Sequence, residues 1–450
     1  MAKNAWPDLL RGARRLWLCC LWLVAGAASA AIPIQHWTHP SGAQVYLVSN
    51  PVIPMLDVQI GFDGGSRRDP SGQIGLASAT AAMFSAGVAA QGSRPALDEN
   101  ALSEAWVDLG AQLGMGAGLE RLSFSMRSLT DPDLLARAVA LAAQQLAAPA
   151  WPEAVWLRQR ERWQAALREA ETRPGTHAAR AFSQAVYGDH PYGREVTATT
   201  LDAIGVNDLR DFYRRHAAAC RAQLVMVGDI DRSGAERIVD RLLATLTPNG
   251  CEALPQVPEV AALTQAVERR IPFAAAQAQV LIGQPGYRRS DPDFFPLYVG
   301  NYILGGGGFV SRLTTEIREK RGLSYSAYSY FAPGLHAGAF QLGLTTRPDQ
   351  ADEAVRVARE VVQRFAADGP TEAELKAARD YLVNGFALRL DSNRKLLDNV
   401  ANMAWNGLPL DYLDHWTQQV EAVTLDDIRR AFRRVLQPER MVTVIVGATH

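Results

Sequence analysis

The chain has 450 residues, of which 48% are hydrophobic and 21% are charged, as is typical of globular proteins large enough for more than one core. Its formal net charge is −1, so bulk charge gives no support for binding to nucleic acid or to an anionic membrane surface. The composition therefore predicts a globular protein that binds neither nucleic acid nor an anionic membrane surface.

The first thirty residues have the layout of a secretory signal peptide. Arg11, Arg14 and Arg15 precede the apolar run LWLCCLWLVAGAA, and the sequence ASA at 28–30 offers an A-x-A cleavage site. The apolar run is too short to span a bilayer comfortably. We therefore expect export to the periplasm, cleavage after Ala30 and no stable membrane insertion of the mature chain. An uncleaved membrane anchor is the alternative.

Cleavage would leave two of the four cysteines in the mature chain, Cys220 and Cys251. An oxidising compartment permits these two residues to pair. Two isolated thiols fit the sequence equally well, and no cysteine spacing matches a metal site. The removed segment carries four basic residues and one acidic residue, so cleavage changes the net charge from −1 to −4.

The first half of the mature chain mixes predicted strands and helices. Apolar or alternating runs predict strands at 44–50, 56–62 and 121–129. Helical patterns occupy 73–87, 99–109, 132–147 and 152–171. Because strands and helices come in blocks rather than in strict alternation, the pattern predicts an α+β fold with mainly antiparallel sheets covered by α-helices.

An internal repeat divides the chain into two similar halves. Residues 201–228 align without a gap on residues 420–447, with nine of the 28 positions identical. Residues 130–139 match 346–355, and both segments open with a Thr-x-Pro-Asp helix start. The offsets of 219 and 216 residues are too long for a solenoid, so we predict two homologous domains.

This repeat leads to a prediction of four segments. They are a signal peptide at 1–30, an N-terminal domain at 31–246, a linker at 247–268 and a C-terminal domain at 269–450. The linker is rich in proline and lacks hydrophobic periodicity.

Several motifs together carry a resemblance to a known family. The first half contains two strands, the turn GGSRRDPSGQ and the run GLASATAAMFSAG at 75–87. They are followed by YGDHPYG (187–193), DLRDFYRRH (208–216), VMVGDI (225–230) and LGGGGFVSRLTTEIREKRGLSYSAYS (304–329). Over essentially the whole mature chain this set resembles the insulinase/pitrilysin-like metallopeptidases, the inverted zincins. The resemblance implies a processing-peptidase-like fold of two homologous α+β domains.

In that family the helix after the turn carries the zinc motif H-x-x-E-H. Positions i, i+3 and i+4 share one helical face, so two imidazoles can hold the metal while the carboxylate activates water. Ser78, Ala81 and Ala82 stand at the matching positions. Alanine has no donor atom and a neutral serine hydroxyl is a poor zinc ligand, so we expect no metal and no hydrolysis by this chain alone.

Other residues offer no replacement zinc site. None of the eight histidines forms H-x-x-E-H or H-E-x-x-H, and the pair His36-x-x-His39 is interpreted as part of a solvated strand edge. Glu169 lies in the region where the family supplies its third ligand. The local spacing departs from the family pattern, and the alternative is an ordinary residue on a helix surface.

The second half retains another part of the family's site. The resemblance implies that an Arg and a Tyr seven residues apart contact the bound peptide and the reacting carbonyl, and Arg318 and Tyr325 stand at that spacing. Independently, the pattern EIREK continues a helix, Gly322 is a suitable residue for the position directly after the helix end, and LSYSAYS begins a strand. The structural alternative is a basic residue favoured at a helix end and a tyrosine in an aromatic strand.

Four consecutive glycines precede this pair, Gly305, Gly306, Gly307 and Gly308. They lack the Lys-Ser/Thr ending of a P-loop and the spacing of a dinucleotide fingerprint, which argues against nucleotide binding. We interpret the run as a flexible turn between helices, at which a peptide backbone could approach closely.

The leading hypothesis is a non-catalytic subunit of a heterodimeric periplasmic zinc metallopeptidase. A homologous partner would supply H-x-x-E-H and the zinc, whereas this chain would supply Arg318 and Tyr325 to the peptide substrate. The alternative is a non-enzymatic peptide-binding or scaffold homodimer that captures extended peptides along a sheet edge. An active single-chain metallopeptidase would require ligands that the sequence lacks.

Overall fold

The computed structural model describes residues 32–244, 246 and 251–447, so the predicted signal peptide and its cleavage site lie outside the described residues. The strands are β1 (Gln35–Thr38), β2 (Gln44–Ser49), β3 (Met55–Asp63), β4 (Gly87–Val88), β5 (Leu97–Asp98), β6 (Gln112–Ala117), β7 (Arg121–Leu129), β8 (Gln223–Gly228), β9 (Val267–Ile271), β10 (Ala278–Pro285), β11 (Ala327–Phe331), β12 (Ala339–Thr346) and β13 (Val442–Val446). They confirm the three strands predicted in the first half.

The α-helices are α1 (Leu76–Met83), α2 (Glu99–Asp108), α3 (Pro132–Ala147), α4 (Glu153–Ala170), α5 (Pro174–Tyr187), α6 (Ala198–Asp202), α7 (Val206–His216), α8 (Arg232–Leu243), α9 (Phe294–Asn301), α10 (Ala351–Asp368), α11 (Glu372–Asn384), α12 (Asn393–Trp405), α13 (Tyr412–Ala422) and α14 (Leu425–Val435). The four helices predicted in the first half are present. The helix predicted at 73–87 is shorter than expected, because the chain turns after Phe84 and enters β4 at Gly87.

Each half of the chain builds one mainly antiparallel sheet, which confirms the predicted α+β class. The first sheet has the order β1-β2-β8-β3-β7-β6, in which only the β2–β8 pair is parallel. The second has the order β11-β12-β10-β13-β9, in which only β13–β9 is parallel. The outer strands, β1 and β6 of the first sheet and β11 and β9 of the second, each leave one backbone edge unpaired within the described chain. The edge strand β1 carries His36, which is exposed and hydrogen-bonds Gln44 at 2.9 Å.

The repeat is visible in matching helix–strand units. Helix α7 leads to β8, and its counterpart α14 leads to β13. Near the start of α7, Asp208 accepts a hydrogen bond from the backbone N–H of Gly205 at 2.8 Å. In α14, Asp427 accepts one from the N–H of Thr424 at 3.0 Å. The two aspartates that the repeat aligns therefore satisfy equivalent backbone donors at two helix starts.

The two halves exchange one helix each. Helix α5, from the first half, packs on the second sheet, where Phe182 and Val186 join Val442 and Val444 in one buried cluster. Helix α12, from the second half, packs on the first sheet through a cluster that includes Leu397. One face of each sheet is thus covered by helices of its own half and the other by a helix of the opposite half. Because both exchanged helices bury apolar side chains, neither sheet has a complete core without the other half.

Polar contacts also join the halves. The carboxylate of Glu120, in the turn between β6 and β7, accepts hydrogen bonds from the backbone N–H of Leu335 at 2.8 Å and from Trp405 Nε1 at 2.9 Å. Glu259, in the connecting segment (251–266) between the two sheets, lies 2.7 Å from Nδ1 of His336. These contacts fix the β11–β12 loop of the second half against the first.

Cys220 and Cys251 form a disulfide, which settles the alternatives left open by the sequence. The bond ties the start of the connecting segment to the short turn between α7 and β8, and Arg221 donates a hydrogen bond to the carbonyl oxygen of Glu252 at 3.1 Å. Within residues 32–244, 246 and 251–447, no helix combines the length and apolar character required to cross a bilayer.

Candidate functional site

Helix α1 is anchored at its N-terminus by a buried aspartate from the preceding turn. Asp69, 2% exposed, accepts hydrogen bonds from the backbone N–H groups of Gly75 and Ala77, both at 2.8 Å. Burial raises the pKa of this carboxyl to about 6, against the opposing effect of the backbone donors. The side chain thus serves the helix start and is not free to bind a ligand.

The three degenerate positions differ in their environment on α1. Ser78 is half-buried, Ala81 is 7% exposed and belongs to the core of the first sheet, and Ala82 is exposed. A methyl group provides no lone pair, and one serine hydroxyl cannot hold Zn²⁺, which takes three protein ligands in catalytic sites. The residues at these positions therefore do not fit zinc.

The apolar side of α1 packs closely. Leu76, Ala77, Ala79 and Met83 form one buried cluster with side chains of α4, α6 and α7. Trp156 of α4 is among the fully buried members and donates from Nε1 to a backbone carbonyl oxygen at 2.8 Å. Small residues along the helix let it lie close to these neighbours, which accounts for a helix rich in alanine and free of titratable side chains.

Other candidate ligands are dispersed or engaged elsewhere. Across the described ranges, no group of three or more His, Cys, Asp or Glu side chains is arranged to hold a metal ion. Glu169 is exposed near the end of α4 and forms an ion pair with Arg173. His216 is buried and donates from Nδ1 to the carbonyl oxygen of Asp63 at 2.8 Å. Burial lowers the pKa of this imidazole to about 4.

The glycine run lies in the second half and is packed at three of its four positions. It continues from α9 through a π-helical turn (Tyr302–Gly306) into a 3₁₀ turn (Gly308–Val310). A Cβ at Gly305 would lie 2.3 Å from Oγ of Ser329 on β11, so this position requires glycine for close contact. A Cβ at Gly306 or Gly307 would similarly lie close to Asn301 or Tyr302, respectively.

Gly308 differs from the other three glycines. Its φ is +60° and no atom lies within 4 Å of the position that a Cβ would take. Glycine is therefore favoured there by its backbone conformation, and open space lies beside it. The close approach of a peptide stays a prediction, which the packing restricts to the end of the run.

Arg318 lies in the last residues of a π-helical segment (Thr314–Glu319), and the loop after it is tightly fixed. Gly322, at φ +62°, donates its N–H to the carbonyl oxygen of Arg318 at 2.9 Å. Ser324, 6% exposed, donates to the carbonyl oxygen of Thr345 at 2.6 Å and accepts from the N–H of Ser326 at 3.2 Å. The loop is thereby held against β12.

This loop presents Tyr325 to solvent. The side chain is 84% exposed, although its neighbour Ser324 is buried. The strand begins two residues later, at Ala327, so the phenol lies just before β11. Arg318 and Tyr325 thus share one short connection of the second half, whereas Ser78, Ala81 and Ala82 lie on a helix of the first.

Glu316, two residues from Arg318 along the chain, is committed to other cations. Glu316 lies 2.7 Å from Nζ of Lys320 and 2.7 Å from Nη1 of Arg321. These two partners, the lysine first, lower the pKa of the Glu316 carboxyl. The nearest interaction of the Arg318 guanidinium is instead with the ring of Phe309, 4.6 Å from its Cζ. The guanidinium donors are therefore available to a ligand.

Three residues that the structure singles out were not among the site residues predicted from the sequence: Asp69 in the first half, and Phe309 and Ser324 in the second. Phe309 directly follows the glycine run, and an aromatic residue in a glycine-rich turn is a signal in the sequence. The roles of Ser324 and Asp69 depend on tertiary hydrogen bonds that sequence spacing does not reveal.

Comparison with known proteins identifies the family to which the chain is similar. The family model for the peptidase M16 inactive domain matches residues 203–382. A crystal structure of a peptidase M16 inactive domain from Pseudomonas fluorescens is similar at a TM-score of 0.87 and 32% sequence identity, and the match covers 93% of this chain and 98% of that chain.

Curated proteins are also similar to this chain. An uncharacterized zinc protease of Streptomyces coelicolor is 29% identical over 286 residues, which are 61% of each chain. The non-peptidase homolog YmxG of Helicobacter pylori is 25% identical over 395 residues, or 84% of this chain and 86% of that protein. The matches span 61% and 60% of the length of the first two curated relatives. The chain therefore belongs to the M16 family, the insulinase/pitrilysin-like peptidases, and it carries the family's inactive domain without the zinc-binding motif.

Proposed function

We propose that the chain is the non-catalytic subunit of a heterodimeric zinc metallopeptidase. The observation that carries this proposal is the contrast between its two halves. Helix α1 has no side chain able to bind zinc, whereas Arg318, in a π-helical segment, and Tyr325, on the fixed loop after it, are available to a ligand. A homologous chain with H-x-x-E-H would supply the metal, the activated water and the rest of the site.

The two retained side chains have complementary chemistry. The Arg318 guanidinium offers several donors in a fixed plane and would bind carbonyl oxygens of an extended peptide. The Tyr325 phenol would donate to the oxygen of the scissile carbonyl, on which negative charge develops in the transition state. A phenol that is 84% exposed in the isolated chain gains a dry, low-dielectric environment only when a partner and a substrate cover it.

We place this complex in the periplasm. The N-terminal thirty residues support export, and the Cys220–Cys251 disulfide supports an oxidising compartment. The peptide substrate, the partner subunit and the partner's zinc belong to the same proposal.

The second candidate is a peptide-binding or scaffold homodimer without enzymatic activity. The open edge of β6 favours it, because an extended peptide can add to an unpaired strand. Gly114 and Gly116 lie on that strand, and no atom lies within 4 Å of the position that a Cβ would take at either residue, so a peptide would meet no side chain there. This candidate needs neither Arg318 nor Tyr325.

The experiment uses the mature chain assembled with the H-x-x-E-H homologue from the same genome, on a quenched fluorescent peptide. Tyr325→Phe is expected to lower kcat by about 10²–10³-fold, the usual effect of losing one oxyanion donor. Arg318→Ala is expected to raise KM, because its donors already bind ground-state carbonyls. Tyr328→Phe is the matched control, since that tyrosine is 42% exposed on the adjacent strand.

Assembly is checked for every variant by size-exclusion chromatography. Full activity of both Tyr325→Phe and Arg318→Ala in a properly formed complex would reject the catalytic contribution. Peptide binding by the chain alone, unaffected by both substitutions, would favour the homodimer instead.

A further inference from the structure

Phe309 has an exposed ring with an interaction that the proposed roles of Arg318 and Tyr325 leave unexplained. The ring is 68% exposed, and its 3₁₀ turn contains no buried residue. An exposed phenylalanine contributes little to the core of its own chain. Its contact with Arg318, with Cζ 4.6 Å from the ring centroid, is within the range of a cation–π interaction.

The backbone fixes where this ring lies. Ser311 is completely buried, and its Oγ donates to the carbonyl oxygen of Gly308 at 2.8 Å. Its N–H donates to the same oxygen at 3.1 Å, which closes the turn around Phe309. Gly305, on the other side, packs directly on β11. The glycine run and Ser311 thus make a rigid support for the ring.

Arg318 lacks the partners that usually hold an arginine in place. Its guanidinium makes no hydrogen bond or ion pair to the part of the chain that the structure describes, and Glu316 is engaged with Lys320 and Arg321. The face of the Phe309 ring is therefore what restrains the guanidinium. A ring contact leaves all the N–H donors in the guanidinium plane free, whereas a carboxylate partner would occupy two of them.

We propose that Phe309 is a positioning residue that holds the Arg318 guanidinium ready for peptide carbonyl oxygens. The inference rests on the proposed function, and it assigns the glycine run the role of supporting this ring. Phe309 acts through Arg318, so its removal affects substrate binding more than the chemical step.

The first test needs neither the partner nor a substrate. The mature chain is labelled with phenylglyoxal, which modifies accessible guanidinium groups, and the labelling rate of each arginine is measured by peptide mass spectrometry. Phe309→Leu is expected to accelerate labelling of Arg318 by roughly two- to fivefold, the factor that corresponds to an exposed cation–π pair. Phe309→Trp is expected to retain the wild-type rate, since indole is the strongest ring partner.

Two controls accompany the labelling. Val310→Ala removes an equally exposed side chain from the same turn, 73% exposed in the native protein, and should leave Arg318 labelling unchanged. Arg347, 68% exposed, is an internal reference whose labelling should be equal in all variants. Circular dichroism verifies that each variant is folded.

The second test uses the assembled complex and the fluorescent peptide. Phe309→Leu should raise KM by roughly two- to fivefold with kcat unchanged, and Phe309→Trp should restore KM. If Phe309→Leu leaves both labelling and KM at wild-type values while Arg318→Ala raises KM, the positioning role is wrong and the proposed function stands. If Arg318→Ala also has a wild-type KM, Arg318 does not bind the peptide and the positioning role is wrong; the catalytic contribution is rejected as well only if Tyr325→Phe also keeps full activity.

Discussion

Removal of the Cys220–Cys251 disulfide should destabilise the protein by an amount that its position allows us to estimate. The perturbation is the double substitution Cys220→Ser and Cys251→Ser. Cys251 is exposed and Cys220 is half-buried, so serine at these positions leaves no large cavity in the core. The main expected effect is therefore on the unfolded chain, which gains freedom when the cross-link is lost.

The magnitude follows from the 31-residue separation of the two cysteines. The chain-entropy model gives a loss of about 3.7 kcal/mol in the free energy of unfolding at 25 °C for a loop of this length. If the mature chain unfolds in one cooperative step, an unfolding entropy of about 2.1 cal/mol/K per residue converts this loss to a decrease of about 4 °C in Tm.

The assay is urea unfolding and differential scanning calorimetry of wild type and the double variant in non-reducing buffer. Addition of reductant should lower the stability of the wild type towards that of the variant and leave the variant unchanged. Equal midpoints in non-reducing buffer, together with two reactive thiols per wild-type chain, would refute the pairing. Equal midpoints with no reactive thiols would refute the entropic reasoning.

Two further predictions concern His216 and export. Burial lowers the native pKa of His216 to about 4, below the ordinary value near 6.5. The stability contributed by the neutral, buried imidazole is therefore fully present above pH 6.5 and is lost as the pH falls towards 4. The substitution His216→Asn keeps a donor for the Asp63 carbonyl oxygen but does not titrate. On acidification from pH 7 to 4, the wild type should therefore lose up to about 3 kcal/mol more free energy of unfolding than the variant. Urea titrations at each pH measure this, and an equal loss of unfolding free energy in the two proteins would contradict the prediction. Cleavage after Ala30 should give a mature chain that starts Ala31-Ile32-Pro33, and N-terminal sequencing of the periplasmic fraction that finds an intact Met1 would contradict export.

Local patterns in the sequence predicted much of the fold. The strands β2, β3 and β7 alternate or run apolar, and helices α2, α3 and α4 carry clear start signals, so each forms where its residues indicate. The repeat predicted two similar halves, and the two aspartates that it aligns, Asp208 and Asp427, lie in equivalent helix–strand units of the structure.

Long-range packing could not be obtained in this way. An apolar helix face such as that of α5, with Phe182 and Val186, shows that the helix is buried but not which sheet covers it. Cys220 and Cys251 have no spacing that distinguishes a bond from two thiols. The sequence also predicted a flexible glycine turn, whereas contacts from Ser329, Asn301 and Tyr302 pack most of it.

The candidate site was predicted to different degrees in the two halves. The absence of zinc ligands at Ser78, Ala81 and Ala82 can be read from their side chains alone, because the methyl side chain of alanine has no donor atom and a neutral serine hydroxyl is a poor zinc ligand. The contact between the Phe309 ring and Arg318 could not be predicted from the sequence, because the two residues are nine positions apart and only the turn after the glycines brings them together.

The most direct test of the central claim measures zinc and peptide hydrolysis together in three samples. These are the purified mature chain, its H-x-x-E-H homologue and the assembled complex. We predict negligible zinc and no cleavage for this chain alone, and close to one zinc ion per complex with chelator-sensitive cleavage that exceeds that of the homologue alone. Near-equimolar zinc in this chain by elemental analysis, with chelator-sensitive hydrolysis in the absence of any partner, would contradict the account.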